Sequence, residues 1–167
     1  MQIRPFDGTI RDALGIIEVD RATFGDCHYT PEYILALEQD PQQRAWVAYE
    51  GGQAVGFVSA FPTHSLAASR WEIDELAVKP TCQGRGIGTE LVSQALAEGM
   101  ARSDLSQARA LVATDNPSSQ RVFARNGHAP SGTVHLLLYE VTGRVPRPRQ
   151  AGTPGVRVAQ GADAPLV

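Results

Sequence analysis

Apolar positions along the chain switch repeatedly between strand-like and helix-like spacing. Helical spacing runs from Ala13 to Phe24 and returns from Leu91 to Gly99. A second helix is predicted to begin at Thr30-Pro31-Glu32, because Thr is a good N-cap and Pro suits the first helical position. A further helix is predicted from Asn116-Pro117 to Asn126-Gly127, because these residue types favour helix ends. Strand-like runs complete the pattern at Ile3–Phe6, Ala45–Glu50, Ala54–Phe61, Trp71–Val78, Ala108–Ala113 and Thr133–Val141.

This order of elements predicts a mixed α/β fold with a central mixed β-sheet flanked by helices in a single domain. Gly51-Gly52 is predicted to form a hairpin turn, and Phe61–Arg70 a loop before the central strand. The domain is expected to cover residues 1–141. Residues 142–167 are rich in Gly, Pro and Ala without periodicity, which predicts an extended tail.

Charge and composition narrow the function classes. The net charge is −3, but the tail carries +3, which leaves −6 on the first 141 residues. An acidic body argues against nucleic acid as a partner and suits cationic small molecules or peptides. No apolar run approaches the roughly 20 residues of a membrane helix, and no signal peptide is recognisable. Cys27 and Cys82 make no metal or disulfide framework, so we expect a cytoplasmic protein with free thiols, no bound metal and no membrane partner.

Three glycines stand where the central strand passes into a helix, at Gly84, Gly86 and Gly88. Glycines leave backbone amides bare, and a helix N-terminus adds partial positive charge, so this loop is a candidate cradle for a phosphate group. A Walker loop is excluded because no Gly-Lys-Ser/Thr follows, and the dinucleotide fingerprint fails at Thr89. A hinge or a binder of nucleotide phosphate remains an alternative at this point.

Two segments resemble the GNAT N-acetyltransferase superfamily. Gln83-x-x-Gly86-x-Gly88, following Leu76-Ala77-Val78 and Pro80, is similar to the family's pyrophosphate-binding motif. A second segment, Asn116-Pro117-Ser118-Ser119 followed by Val122-Phe123 and Asn126-Gly127-His128, is similar to a later helix of the family. The order of elements from Gln2 to about Val141 also fits, so the resemblance covers most of the chain and leaves out the tail.

The resemblance implies acetyl transfer from acetyl-CoA, a co-substrate, to an amine in a ternary complex. It implies that the backbone N–H of Leu76 stabilises the developing oxyanion, and that a splayed strand pair grips the pantetheine arm. Arg85 would add charge or stay solvated, and Asn116 would touch the CoA arm or only cap its helix. The residues implied in CoA binding are Leu76, Ala77, Val78, Gln83, Gly84, Arg85, Gly86, Ile87, Gly88, Thr89, Asn116, Ser119 and Phe123.

A protonated amine must lose a proton before it attacks, and the acidic strand Trp71-Glu72-Ile73-Asp74-Glu75 offers bases for that step. Strand alternation places Glu72 and Asp74 on one face and Glu75 on the other. Glu72 is the first candidate because it matches a position where some family members carry a base, and Glu75 is the second. A structural, solvent-facing acid is the alternative for Glu72.

Phe123 departs from the family pattern, which often has a tyrosine there to protonate the leaving thiolate. Tyr139 or water could substitute, and the departure leaves a non-catalytic CoA-binding module as the alternative function. The acceptor is expected near the first two helices, where Asp26 could attract an amine and Phe24 and Tyr29 could form walls. Members of the family are often dimers, and dimerisation is expected on that ground alone.

Overall fold

The computed structural model describes residues 1–25 and 27–133. Five strands form one sheet in the order β1-β2-β3-β4-β5, in which β4 and β5 are parallel and the other pairs antiparallel. The strands are β1 Gln2–Pro5, β2 Arg44–Glu50, β3 Gln53–His64, β4 Ser69–Val78 and β5 Gln107–Ala110. The predicted mixed sheet flanked by helices is therefore confirmed.

Four α-helices flank the sheet: α1 Ile10–Phe24, α2 Pro31–Glu38, α3 Ile87–Ala101 and α4 Pro117–Arg125. Side-chain caps begin three of them, because Thr9, Thr30 and Asn116 each accept a hydrogen bond from a backbone N–H of the first turn. Helix α3 begins differently, at a left-handed Gly86 without a side-chain cap. Its first amides are therefore not satisfied by a capping side chain.

Both faces of the sheet are buried. Trp71 and Leu91 belong to the core between the sheet and α3, and the Trp71 indole Nε1 donates to the Ala95 carbonyl at 2.9 Å. Val47 and Phe57 belong to the core beneath α1 and α2. The first face carries the helix that follows the glycine loop, and the second carries the predicted acceptor region.

The loop predicted over Phe61–Arg70 is wrong at both ends. Strand β3 continues to His64 and β4 begins at Ser69, so only residues 65–68 connect them. Pro62 pairs with Trp71, and the Thr63 hydroxyl donates to Glu72 at 2.9 Å. Cross-strand pairing outweighs the poor strand propensity of a segment that contains proline. Strand β5 also ends at Ala110, three residues before the predicted end.

The strand predicted over Thr133–Val141 lies outside the described residues apart from Thr133, as do Tyr139, Asp26 and the tail at 142–167. No helix of the described residues is long and apolar enough to cross a membrane.

Candidate active site

Strand β4 contains a β-bulge in the middle of its acidic segment. Ser59 of β3 pairs with Glu75 and Ala60 pairs with Ile73, which leaves Asp74 as the extra residue. The alternation predicted for the three acids is wrong, because the bulge interrupts the period of two. Asp74 and Glu75 both line one cavity, whereas Glu72 is held elsewhere.

The bulge coincides with the end of the pairing between β4 and β5. Their ladder stops at Ile73 opposite Ala110, so the rest of β4 has no strand on that side among the described residues. The Lys79 N–H donates to the Val55 carbonyl at 2.9 Å, which shows that Lys79 faces β3. Since backbone groups alternate along a strand, the amides of Leu76 and Val78 point away from β3, and that of Ala77 points toward it.

The glycine loop turns sharply between β4 and α3. Gly84 and Gly86 have φ angles of 75° and 84°, in the region where side chains are strained. A Cβ at either position would meet no atom within 4 Å, so both glycines border open space. Gly88 has a different role, because a Cβ there would lie 3.6–3.8 Å from Val122, Val78 and Leu76.

The start of α3 presents backbone donors to the space beside this loop. The Glu90 N–H bonds to the Gly86 carbonyl and closes the first helical turn, so the amides of Ile87, Gly88 and Thr89 precede the helical ladder. The Gln83 side chain donates to the Val78 carbonyl at 2.9 Å and ties the loop to the strand. Bare donors and a helix N-terminus suit a phosphate group, so these residues fit a pyrophosphate.

Arg85 points its guanidinium at the β2–β3 hairpin. It makes a two-pronged ion pair with Glu50, with N–O distances of 2.8 and 2.9 Å. This exposed ion pair joins the glycine loop to the end of β2. In this arrangement the positive charge of Arg85 is directed to Glu50.

Glu72 is buried, and both of its carboxylate oxygens are engaged. One accepts from the Thr63 hydroxyl at 2.9 Å and the other from Arg109 of β5 at 2.8 Å. Arg109 is also the cross-strand partner of Glu72. This carboxylate therefore connects β3, β4 and β5 just before the pairing of β4 and β5 ends. The open edge of β4 beyond that point is called the split below.

A cavity of about 390 Å³ opens on the other side of the bulge. Its acids next to the split are Asp74 and Glu75, and the Tyr29 hydroxyl donates to Glu75 at 3.2 Å. The Tyr29 and Tyr33 rings are stacked with their centroids 5.5 Å apart. The remaining lining residues are Pro5, Phe6, Ile16, Ile34, Leu37, Gln43, Arg44, Ala45, Trp46, Phe57, Ser59 and Glu98.

The electrostatics of this cavity are acidic at the bulge. Burial, and secondarily the charge of Glu72, raises the pKa of Asp74. Arg44 of β2 donates to Glu98 of α3 at 2.8 Å, so these two charges offset each other. The cavity therefore concentrates its negative charge beside the open edge of β4.

Tyr29, in the connection between the first two helices, lines the cavity, and its role as a wall of the acceptor site stays a prediction. Phe24 is instead 7% exposed within the core under α1. Burial raises the pKa of the Cys27 thiol to about 11, which argues against a nucleophilic role. His64 lies at the end of β3, where its Nδ1 is 3.1 Å from the Ser69 hydroxyl, and it does not line the cavity.

Helix α4 contributes a cap and a buried ring. The Asn116 side chain accepts from the Ser119 N–H at 3.0 Å, which is the capping role. Phe123 is 4% exposed, and its ring packs edge-on against the His128 ring with the two centroids 5.2 Å apart. Burial lowers the pKa of His128, whose ring nitrogens have no hydrogen-bond partner among the described residues.

Sequence reasoning missed most of the cavity. Tyr33, Trp46 and Phe57 line it, yet they come from three elements and carry no motif. Asp74 was recognised as an acid but assigned to the wrong neighbours. Only a bulge signal could have corrected that assignment, and the strand has no glycine or proline at this point.

Comparison with known proteins identifies a matching family and several relatives. A model of the acetyltransferase (GNAT) family matches residues 13–128. Mycothiol acetyltransferase of Nocardia farcinica is 32% identical over 122 residues, which cover 72% of this chain but 38% of that relative. Phosphinothricin N-acetyltransferase of Streptomyces coelicolor is 31% identical over 118 residues, covering 66% of this chain and 68% of the relative.

A solved structure shares the fold. An aminoglycoside acetyltransferase from an uncultured soil metagenomic sample, in complex with sisomicin, superposes with a TM-score of 0.65. It is 17% identical, and the match covers 86% of this chain and 96% of that one. The family match over 13–128, the relatives and the shared fold agree, and the chain belongs to the GNAT acetyltransferase family.

Proposed function

We propose that the protein is an acetyl-CoA-dependent N-acetyltransferase that acts on a primary amine of a small molecule or peptide. The carrying observation is the open edge of β4, which has a bare-amide loop at one end and an acidic cavity beside its bulge. Acetyl-CoA supplies a thioester whose acyl carbon forms a bond to the amine nitrogen as the carbon–sulfur bond breaks. The residues of this chain then have three tasks.

The first task is to hold the pyrophosphate of the co-substrate. The amides from Gln83 to Thr89 are suited to it because Gly84 and Gly86 leave open space beside them. Arg85 contributes charge there only if it leaves Glu50. The Asn116 side chain accepts from the Ser119 backbone N–H and caps α4, and contact of these two residues with the CoA arm stays a prediction.

The second task is to stabilise charge that develops on the acyl oxygen. The Leu76 amide points away from β3 into the split, so it is our candidate donor. A donor of this kind is commonly worth about 3–4 kcal/mol of barrier. Val78 presents its amide on the same side, two residues nearer the loop, whereas Ala77 keeps the strand bonded to β3.

The third task is to take a proton from the amine. Glu75 is our preferred base because it lines the cavity beside the split, and Tyr29 orients its carboxylate. Asp74 is adjacent, and its raised pKa moves it toward the range of an effective base. Glu72 stays a prediction that mutagenesis can test, although its two oxygens are held by Thr63 and Arg109.

The leaving group places a weaker demand on the protein. A thiol has an ordinary pKa of about 8.5, so CoA can depart as a thiolate without an acid at Phe123. Phe123 also supports the second candidate function, a CoA-binding module without catalysis. The two functions differ in one observable, which is thiol release in the presence of an amine.

The first test is calorimetric titration with acetyl-CoA, with CoA and ATP as comparisons, followed by thiol release over a panel of amines. Micromolar binding of acetyl-CoA and CoA but not ATP, with amine-dependent release of thiol, is the expected result. Binding without release for every amine would favour the non-catalytic module. Tight ATP binding without acetyl-CoA binding would reject both functions.

A further inference from the structure

The cavity beside the bulge constrains the acceptor more closely than family membership does. Its polar end carries Asp74 and Glu75 as neighbouring acids. Tyr29 and Tyr33 flank this end as a stacked pair, with ring planes 7° apart. Carboxylates and aromatic faces both attract ammonium groups, so this end is suited to a cation.

The only arginine or lysine among the described lining residues is Arg44. Its Nε donates to Glu98 at 2.8 Å, and its Nη1 donates to the Gln43 carbonyl at 2.7 Å. A ligand carboxylate would have to compete with Glu98 for this guanidinium. A carboxylate attached beside the ammonium would instead approach Asp74 and Glu75, where like charges repel.

One wall of the cavity is apolar, whereas polar residues such as Gln43 and Ser59 line other parts of it. Ile16, Ile34 and Phe57 come from the core beneath α1 and α2 and form this wall. Sugar hydroxyls placed against this wall would lose water without gaining hydrogen bonds, which is costly. The volume of about 390 Å³ lies near the small end of the roughly 300–1,000 Å³ range of ligand pockets.

We propose that this cavity takes a small cationic amine on an apolar body, with no carboxylate beside the amine. The proposal rests on the proposed acetyltransferase function for the ligand to be an acceptor. It separates this chain from relatives named for phosphinothricin and from the solved aminoglycoside acetyltransferase. Amino acids and polyhydroxylated amines are predicted to be poor ligands.

Phenethylamine and phenylalanine form a matched pair that differs by the carboxylate. Binding of each to the CoA-loaded protein is measured by calorimetry, and kcat/KM is measured with acetyl-CoA. We expect phenethylamine to be favoured about tenfold or more in both measurements. Sisomicin serves as the polyhydroxylated comparison and is expected to bind more weakly than phenethylamine.

Two variants locate the selectivity. Asp74→Asn/Glu75→Gln should reduce the binding preference for phenethylamine to about threefold or less, since the like-charge repulsion is gone. Glu32→Gln removes an acid of α2 that does not line the cavity and should leave the preference unchanged.

Equal binding of the two ligands, no binding of phenethylamine at millimolar concentration, or stronger binding of sisomicin would each overturn the proposal. A preference in binding without acetyl transfer to any amine would support the ligand class and count against the acetyltransferase function. The two failures are therefore distinguishable.

Discussion

The glycine loop and the cavity beside the bulge are formed by different parts of the chain, one by backbone and the other by side chains. The loop offers backbone amides from one continuous segment, Gln83 to Thr89, at the start of α3. The cavity offers side chains from β1, α1, α2, β2, β3 and β4, together with Glu98 of α3. A backbone site needs particular φ angles and so requires glycine, whereas a side-chain site needs only neighbours that the fold brings together. The loop should therefore tolerate substitutions elsewhere in the chain, whereas the cavity should change with substitutions in any element that lines it.

Gly86→Glu should produce the largest effect and should affect the loop alone. The substitution strains a φ of 84° and places a negative side chain beside the proposed phosphate site. We expect acetyl-CoA affinity to fall about 100-fold or more by calorimetry, which corresponds to roughly 2.7 kcal/mol.

Gly51→Glu is the matched control for that experiment. Gly51 also has a positive φ, 54°, and open space around its Cβ, but it lies in the β2–β3 hairpin. It should reproduce the backbone strain with little loss of affinity. An equal loss in both variants, or unchanged affinity in a folded Gly86→Glu protein, would contradict the placement of the phosphate site.

Glu75→Gln should affect the cavity and leave the loop unaltered. Loss of a general base lowers kcat by about 100-fold, while acetyl-CoA affinity should stay the same. Glu72→Gln should change kcat by less than about threefold and lower the free energy of unfolding by about 1 kcal/mol, because Arg109 loses its partner. Steady-state kinetics and urea unfolding on both variants check this, and the reverse pattern would make Glu72 the base.

Asp74→Asn tests the charge at the bulge through pH. A carboxyl with a raised pKa stabilises the fold in its protonated form, and this contribution is lost as pH rises through the folded pKa. The variant should therefore unfold with a higher free energy at pH 7, by up to about 1 kcal/mol because water still reaches the side chain. The gain should vanish below the ordinary aspartate pKa of 3.8.

Urea titrations at pH 7 and at about pH 3, below the ordinary aspartate pKa, measure the effect, with Glu32→Gln as a control of opposite sign. Hydrogen bonds at the start of α2, from its own backbone N–H and from Thr30, lower the pKa of Glu32. Its ionised form is thus the stabilising one. A pH-independent result for Asp74→Asn would show that its carboxyl is not perturbed by burial.

Glu50→Gln should have the smallest effect and should act on the glycine loop through Arg85. It releases Arg85 for the proposed phosphate, and an exposed ion pair is worth at most about 1 kcal/mol. Acetyl-CoA affinity should rise two- to fivefold at low salt, a factor within about 1 kcal/mol. Arg85→Gln should show no such gain in acetyl-CoA affinity. High salt should remove the gain that Glu50→Gln produces. A fall in affinity would give the ion pair a structural role in shaping the loop.

The sequence supported prediction of features that depend on local chemistry. Thr30 and Asn116 cap helices as predicted, because short polar side chains satisfy first-turn amides. Helices α1 and α3 and the strands followed from apolar spacing, and α2 and α4 from the residues at their ends. The bulge could not be predicted in this way, because the extra residue is selected by pairing with Ser59 and Ala60, which lie on another strand. The strand character of Phe61–His64 was missed for the same reason.

The cavity was the least predictable part. Its walls combine residues as distant in the chain as Phe6 and Glu98, and no spacing rule connects them. The Tyr29 wall was anticipated because it lies in the connection between α1 and α2. Arg44 and Glu98 could be recognised as a pair only after folding placed the start of β2 beside α3.

The bulge also has a consequence for changes in chain length. The ladder between β3 and β4 passes from Ile73 to Glu75 without using Asp74, so deletion of that residue would keep every other side chain of β4 on its present face. Deletion of Ile73 or Leu76 would instead remove a core residue and shift the strand frame. Asp74 is thus a place where a family could gain or lose one residue and keep its fold while altering how an acid meets the substrate.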